Sequence, residues 1–437
     1  MRQTCANLAY TSKEARAQSG SYSVADVSIG GWFLTLPSWL YQALMPMRTS
    51  QPTPPARLAA QAHSTDDVLP ANLTFAFGYL SDPDALEGLW RDLEGRADGS
   101  FYLSWHWIGP WLSHIGRRPI VFRADVDGQI VALALLCSHT EVRHRFLRSR
   151  MLCLHETGDP ACDVLTIEFN GILHDRRYGP ALVERCLKEI AKSTPQGVPW
   201  DELLIGGVTD DFVPLAGRTG LALHIRDCRP SAAVPLDAIR ASGRGHLAQL
   251  SANTRYQVRR AMKLYQQRGP LTIAAARDAG EARDFMAGLA ELHQATWRAR
   301  GKPGAFGADF FPKVHETMIA QSLASGAVEV LRVAAGQHGI GYLYNFIHRG
   351  WIGAYLSGFA YEDDPKLKPG LVCHCMAIDR HLAAGHHTYD FMAGDNRYKT
   401  SLGHRGPDMY WLSLRRPRLK LQLEDMLRAV KHRLRGA

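Results

Sequence analysis

From Asn72 onward the period of apolar and polar positions changes in blocks, and each block predicts an element. Leu73–Tyr79 alternates as a strand, Ala85–Leu93 reads as a helix, and Phe101–His114 is a helical segment carrying Trp105, Trp107 and Trp111. Ile120–Ala124 and Gln129–Leu136 then read as two strands around the turn Asp125-Val126-Asp127-Gly128. The same device recurs about 210 residues later, where Val328–Ala334 and Ile340–Ile347 flank Ala335-Gly336-Gln337-His338-Gly339. Val121-Phe122-Arg123 and Val330-Leu331-Arg332 open the two hairpins, and Gly-Gln sits in both turns. Each copy follows a Trp-containing helical segment and precedes further mixed elements. The pattern therefore predicts a tandem α+β architecture with its boundary near Asp237.

In the second half, Leu250–Gln267 predicts a helix whose buried stripe is Val258, Ala261, Met262 and Tyr265, with Arg255, Arg259 and Lys263 on the neighbouring stripe. Glu281–Arg298 predicts another, closed by Gly301 and Pro303, and Phe310–Ala324 a third. Trp351–Phe359 continues the sheet, Gly370–Ala384 is a helix stopped by Gly385, and Thr388–Met392 is a last core strand.

A chain of 437 residues with 46% apolar content buries a large core, and its size asks for more than one domain. Residues 1–70 differ from the rest: few charges, and a linker-like run with Pro46, Pro52, Pro54 and Pro55. The apolar stretch Gly30–Met45, broken by Pro37, is short of the ~20 residues of a spanning helix. Eight scattered cysteines without a Cys-x-x-Cys pair read as reduced thiols, which points to the cytoplasm. The net charge of +9 is uneven. Residues 238–277 contain no acid, and the tail from Leu414 carries eight Arg/Lys against Glu424 and Asp425. Phosphate-bearing partners fit that distribution: an acyl carrier or tRNA at Arg255, Arg259 and Lys263, and a protein or the inner-membrane surface at a basic helix over residues 415–437.

The candidate chemistry concentrates in Tyr389–Gly403, where a strand stops at Gly394-Asp395 and continues into Tyr398-Lys399. Asp390, Asp395, Tyr398 and Lys399 are its titratable groups, and Asp390 also reads as a strand-end carboxylate bonded to backbone amides. Lys368-Pro369-Gly370 opens a helix whose N-terminus suits phosphate. His293, Trp297, Arg298, Arg300 and Lys302 join a helix to a basic loop suited to an anionic ligand with a planar part. No Gly-x-Ser-x-Gly elbow, Walker loop or Gly-x-Gly-x-x-Gly run occurs. Cys373-His374-Cys375 points its outer members about 200° apart on a helix, so no metal is expected.

Taken in order, Leu250-Ser251-Ala252-Asn253-Thr254-Arg255, Leu292 to Gly301, Ser357-Gly358-Phe359, Lys368-Pro369-Gly370 and Tyr389-Asp390-Phe391 with Gly394-Asp395 and Tyr398-Lys399 resemble the CelD/BcsL-type acetyltransferases of the GNAT superfamily, similar in plan to FemAB-type tandem GNAT proteins. The resemblance runs from about Phe101 to Leu414. It implies two GNAT-like domains, 71–236 (degenerate) and 237–414 (bearing the donor site), each a mixed, mostly antiparallel sheet flanked by helices. The activity implied is transfer of an acyl group, acetyl first, from acyl-CoA to an amine or hydroxyl of a small-molecule or saccharide acceptor in envelope polysaccharide synthesis. Ser357, Gly358, Lys368, Pro369 and Gly370 would hold the donor; His293, Trp297, Arg298, Arg300, Lys302 and Tyr344 would contact substrate; Asp390 or Asp395 would serve as base or acceptor anchor, with Tyr398 and Lys399 on the donor side. The chain lacks the Arg/Gln-x-x-Gly-x-Gly/Ala run of the superfamily, and FemAB-type relatives use aminoacyl-tRNA. An aminoacyl-tRNA-dependent transferase and a non-catalytic scaffold of a polysaccharide-synthesis assembly are therefore the alternatives.

Overall fold

The computed structural model describes residues 69–426. The apolar stretch Gly30–Met45, the proline-rich linker and the end of the basic tail lie outside the described residues.

The first half runs β1 (Thr74–Tyr79), α1 (Pro83–Arg96), α2 (Trp105–His114), β2 (Ile120–Val126), β3 (Gln129–Arg143), β4 (Leu147–Leu154), β5 (Leu173–His174), α3 (Gly179–Lys192), β6 (Glu202–Thr209), α4 (Phe212–Gly217) and β7 (Ala222–Pro235). The second runs α5 (Leu236–Ala241), α6 (His246–Gln249), α7 (Ala252–Gln266), β8 (Leu271–Ala275), α8 (Ala279–Ala299), α9 (Phe310–Ser322), β9 (Val328–Ala335), β10 (His338–His348), β11 (Trp351–Phe359), α10 (Pro369–Ala383), β12 (Thr388–Ala393), α11 (Arg397–Leu402) and β13 (His404–Arg415). Local chemistry sets several starts. The Asp278 carboxylate accepts the Glu281 N–H at 2.9 Å while Glu281 accepts the Arg277 N–H at 2.8 Å, a reciprocal cap that opens α8. Ser251 accepts the Thr254 N–H at 3.2 Å and opens α7, whose Val258, Ala261 and Tyr265 are fully buried.

One mixed sheet, flanked by helices, carries both halves in the order β1-β2-β3-β4-β6-β13-β7-β12-β11-β10-β9-β8. Both hairpins read from the sequence are present, as β2–β3 and β9–β10. Each leads into a strand, β4 or β11, that pairs in parallel with a later one, β6 or β12, across an intervening helix, α3 or α10. The closing strands are exchanged: β13 lies between β6 and β7, and β7 between β13 and β12. Neither half completes its sheet without the other.

The two parallel pairs open into wedges. Pairing of β4 with β6 spans Met151–Cys153 against Glu202–Leu204, and that of β11 with β12 spans Trp351–Gly353 against Thr388–Asp390. In the first half the chain fills its own wedge. Asn170 Nδ2 donates to Leu154 O at 3.1 Å and Asn170 N to Gly207 O at 3.0 Å, so the loop after β4 bridges both diverging strands. Glu156 is half-buried, with its carboxylate against Gly206, where a Cβ would stand 2.6 Å from Oε2; desolvation pushes its pKa up to about 8. In the second wedge no single residue spans the two strands in that way among the described hydrogen bonds; the same loop reaches β11 at Leu165 and β12 at Glu168.

A shared aromatic core locks the halves together. Phe101 stacks on Phe346 of β10 at 4.3 Å, Trp107 lies 5.9 Å from the same ring, and His106 and His114 of α2 pair with Ser322 and Thr317 on α9, both at 2.8 Å. The tryptophan-rich segment is thus an interface element. No helix among the described residues is long and apolar enough to cross a membrane.

Candidate functional site

The second wedge is shaped by two irregularities. On β11, Tyr344 of β10 pairs with Leu356 but Asn345 with Ala354, so Tyr355 is a bulge residue; its hydroxyl donates to Leu165 O at 2.9 Å. On β12, Asp390 pairs with Ala233 and Ala393 with Ser231, leaving one extra residue, and Met392 takes φ +63°. Asp390 holds that kink. Its Oδ1 accepts the Met392 N–H at 2.6 Å and its Oδ2 the Trp351 indole N–H at 3.2 Å.

The kink turns two carbonyls toward α11. Lys399 Nζ donates to Met392 O at 3.1 Å and Ala393 O at 2.7 Å, and the residue is only 6% exposed. Gly394, at φ +129°, lies so close that a Cβ would stand 3.2 Å from Nζ. Desolvation lowers the Lys399 pKa; the negative charges of Glu168 and Asp390 work against that shift.

Glu168 belongs to the loop that fills the first wedge, yet it enters the second. Its Oε2 accepts the Ala393 N–H at 2.8 Å, and the side chain is 7% exposed. Burial pushes its pKa up to about 7, and that of Asp390 to about 6. Phe169 meets the Trp351 ring at 5.5 Å, and Ser100 donates to Phe169 O at 2.7 Å, which fixes the loop on both sides. A buried triad of Glu168, Asp390 and Lys399 thus forms across the two halves. Sequence reading found the last two and missed Glu168. The available signal was a lone acid inside the apolar run Val164–Leu173.

The mouth of the wedge is basic and aromatic. Helix α10 begins at Pro369 after Lys368, and no side chain caps its first turn. Gly370 leaves room for Phe359, 3.2 Å from where its Cβ would be. Tyr398 is half-buried and stacks on His374 at 5.3 Å and 13°; burial pushes its pKa up to about 12. Burial, followed by the charge of Lys399, lowers His374 to about 3, so it is neutral, with Nδ1 paired to the Tyr389 hydroxyl at 2.9 Å. Arg300 and Lys302 stand over the Trp297 ring at 5.6 and 5.7 Å. Tyr361, 62% exposed, lies within electrostatic reach of Arg300 and of Tyr398.

Other expected site residues fall into structural roles. His293 is buried: its Nδ1 donates to Ser357 O at 3.1 Å and its Nε2 accepts the Ala305 N–H at 3.4 Å, tying β11 to the loop after α8. Gly358 admits α8, since a Cβ there would stand 2.5 Å from Leu289 O. Tyr344 is fully buried against His315 and Met318 in the aromatic core. Asp395 and Arg298 are exposed, outside the buried triad.

On α7, Arg259 and Lys263 are exposed while Arg255 reaches Ala248 O at 3.4 Å. The start of the basic tail is spent inside the protein. Arg415 pairs with Glu202 at 3.0 Å, Arg416 covers Trp200 at 3.8 Å, and Arg418 and Lys420 reach Asp201 at 3.4 and 2.5 Å. Cys373, His374 and Cys375 are all buried, and among the described residues no group of three His, Cys, Asp or Glu could hold a metal ion.

This geometry has a counterpart among known domains. Residues 252–400 match the acetyltransferase (GNAT) domain. The match ends just past Lys399 and includes the whole second wedge. Over a longer stretch, the structure of FemX superposes with a TM-score of 0.53 at 13% identity, covering 80% of this chain and 99% of that one. A tandem GNAT protein from the clavulanic acid biosynthesis pathway aligns over 78% of this chain and 98% of its own, at 13% identity and a TM-score of 0.40. The C-terminal domain (DUF2156) of a putative lysylphosphatidylglycerol synthetase from Agrobacterium fabrum aligns over 79% and 96%, at 13% identity and a TM-score of 0.47. At 13% identity the likeness to FemX is one of fold. No curated protein sequence matches the chain.

Proposed function

We propose that the protein transfers an acyl group, acetyl first, from an acyl-CoA thioester to an amine or hydroxyl acceptor, with the chemistry in the second wedge. The observation that carries this reading is the buried Lys399, clamped by two carbonyls at the point where β11 and β12 part. A thioester lying in the wedge would direct its carbonyl oxygen at that ammonium, which would stabilise the oxyanion of the tetrahedral intermediate. The open N-terminus of α10 with Lys368, and the Arg300–Trp297–Lys302 stack, supply cations and a flat ring for the donor's phosphates and base. The acceptor is a saccharide or another small amine or alcohol, in keeping with the CelD/BcsL resemblance and envelope polysaccharide synthesis. The setting is the cytoplasm, beside the inner membrane.

A second reading, an aminoacyl-tRNA donor, is favoured by one observation. Helix α7 presents exposed Tyr256, Arg259 and Lys263, with Arg260 over the Tyr256 ring at 5.3 Å, a surface suited to a nucleic-acid backbone. A thermal-shift series separates the two. Acetyl-CoA is expected to raise Tm, and at 100 times Kd a native-state ligand adds about 2.7 kcal/mol. Replacing Arg300 and Lys302 together by serine is expected to weaken the donor by roughly tenfold, the loss of about 1.4 kcal/mol of charge-assisted contact. No shift with acetyl-CoA, longer acyl-CoAs or free CoA, together with retention of charged tRNA in a gel shift, would replace the first reading by the second.

A further inference from the structure

We infer that Glu168, delivered by the first half into the second half's wedge, is the general base that takes the proton from the attacking acceptor. The inference rests on the acyl-transfer reading and assigns one of its roles. The alternatives are closed by geometry. Both Asp390 oxygens are occupied, by Met392 N–H and by the Trp351 indole, in holding the β12 kink. Asp395 is exposed, in contrast to the buried triad. Glu168 spends only Oε2, on the Ala393 N–H; its Oε1 receives no hydrogen bond among the described residues. The Met392–Ala393 peptide of β12 binds Glu168 through its N–H and Lys399 through its C=O, so base and cation are held by one peptide unit.

The arrangement orders the reaction. The acceptor nitrogen or oxygen forms its bond to the thioester carbon, Glu168 takes the proton it sheds, and the C–S bond breaks with its electron pair on sulfur. The CoA thiolate then takes a proton from solvent, and Glu168 returns its own to water. Nothing beyond donor, acceptor and water is consumed.

The groups facing Glu168 are Lys399 on α11, Asp390 on β12, Arg229 on β7, and the Tyr102 and Tyr355 phenols. Burial raises the carboxyl, the nearby Asp390 adds to that, and Lys399 and Arg229 oppose it, leaving it at about 7. The base works only when ionised. Turnover is therefore expected to fall about tenfold per pH unit below 7 and to level above it.

Because one amide oxygen of glutamine can still accept the Ala393 N–H, Glu168→Gln keeps the loop in place. With acetyl-CoA as donor and a panel of glucosamine, lysine and spermidine as acceptors, it is expected to lower kcat about 100-fold, leave donor KM unchanged, and abolish the acid limb near pH 7. Glu168→Ala is expected to regain activity in proportion to added formate, a response that a purely structural role would not give. An E168Q enzyme that keeps the acid limb, or an E168A enzyme that formate does not rescue, overturns the assignment while leaving acyl transfer standing. A wild-type protein that releases no CoA thiol with any acceptor overturns acyl transfer itself, and the assignment with it.

Discussion

Replacing Lys399 with methionine is expected to lower kcat by roughly 10³ while changing donor KM little, the signature of an interaction made chiefly in the transition state. The effect is electrostatic. The ammonium is held by the Met392 and Ala393 carbonyls in a site only 6% exposed, where a full charge acts with little screening on a developing oxyanion. Methionine fills much of the same volume but cannot offset the charge on the carbonyl oxygen. A second readout isolates the charge. Lys399 opposes the burial that raises Glu168 and Asp390. Without it both carboxyls rise further, so any activity left in the variant is expected to switch on at a higher pH than the wild-type limb near 7. A variant with full kcat would remove Lys399 from the chemistry; one with low kcat and an unmoved limb would separate its oxyanion role from its effect on the base.

Gly207→Ala is expected to cost roughly 3–5 kcal/mol of stability by urea denaturation and to abolish transfer at the same time. Gly207 has φ +65°, and a Cβ there would stand 2.1 Å from Ile167 O and 2.8 Å from the Glu168 Cα. Both contacts are backbone, so the loop itself must move, and it carries Glu168. Gly197 and Gly220 are the internal controls. Their φ values are +71° and +81°, but nothing lies within 4 Å of the Cβ position. Alanine at either is expected to cost only the left-handed penalty of about 1 kcal/mol, with activity kept. Equal costs at all three positions would show that the filled first wedge is not what makes Gly207 special.

Short-range patterns were legible where one period dominates. The apolar stripe of α7, the body of α8 and both Gly-Gln hairpins lie where the residue pattern puts them. Strands buried on both faces were harder. Strand β4 and the run to Thr209 in β6 carry no clean alternation, and β7 and β13 mix charged with apolar positions. The start of the basic tail was hard to read for a related reason. Arg415, Arg416 and Lys420 look like a cationic surface in sequence, but they compensate Glu202 and Asp201 and cover Trp200, residues more than 200 positions away. Tyr344 and His293 look like site residues because aromatic and imidazole groups favour ligands, yet both satisfy buried contacts inside the fold.

The sequence by itself determined the local pieces: the two hairpins, the helices of the second half, and the Asp390…Lys399 run with its glycine and its paired charges. Those depend on neighbours within a few residues, where period, caps and turn chemistry act directly. Only the tertiary structure decided that the loop after β4 bridges the strands of the first wedge and also touches both strands of the second, that β7 and β13 exchange places, and that Glu168 reaches a peptide 225 residues away. The reason is physical. A carboxylate's role depends on its burial, its free oxygen and the charges around it, and for Glu168 all of these come from strands and loops that meet only when the sheet is complete.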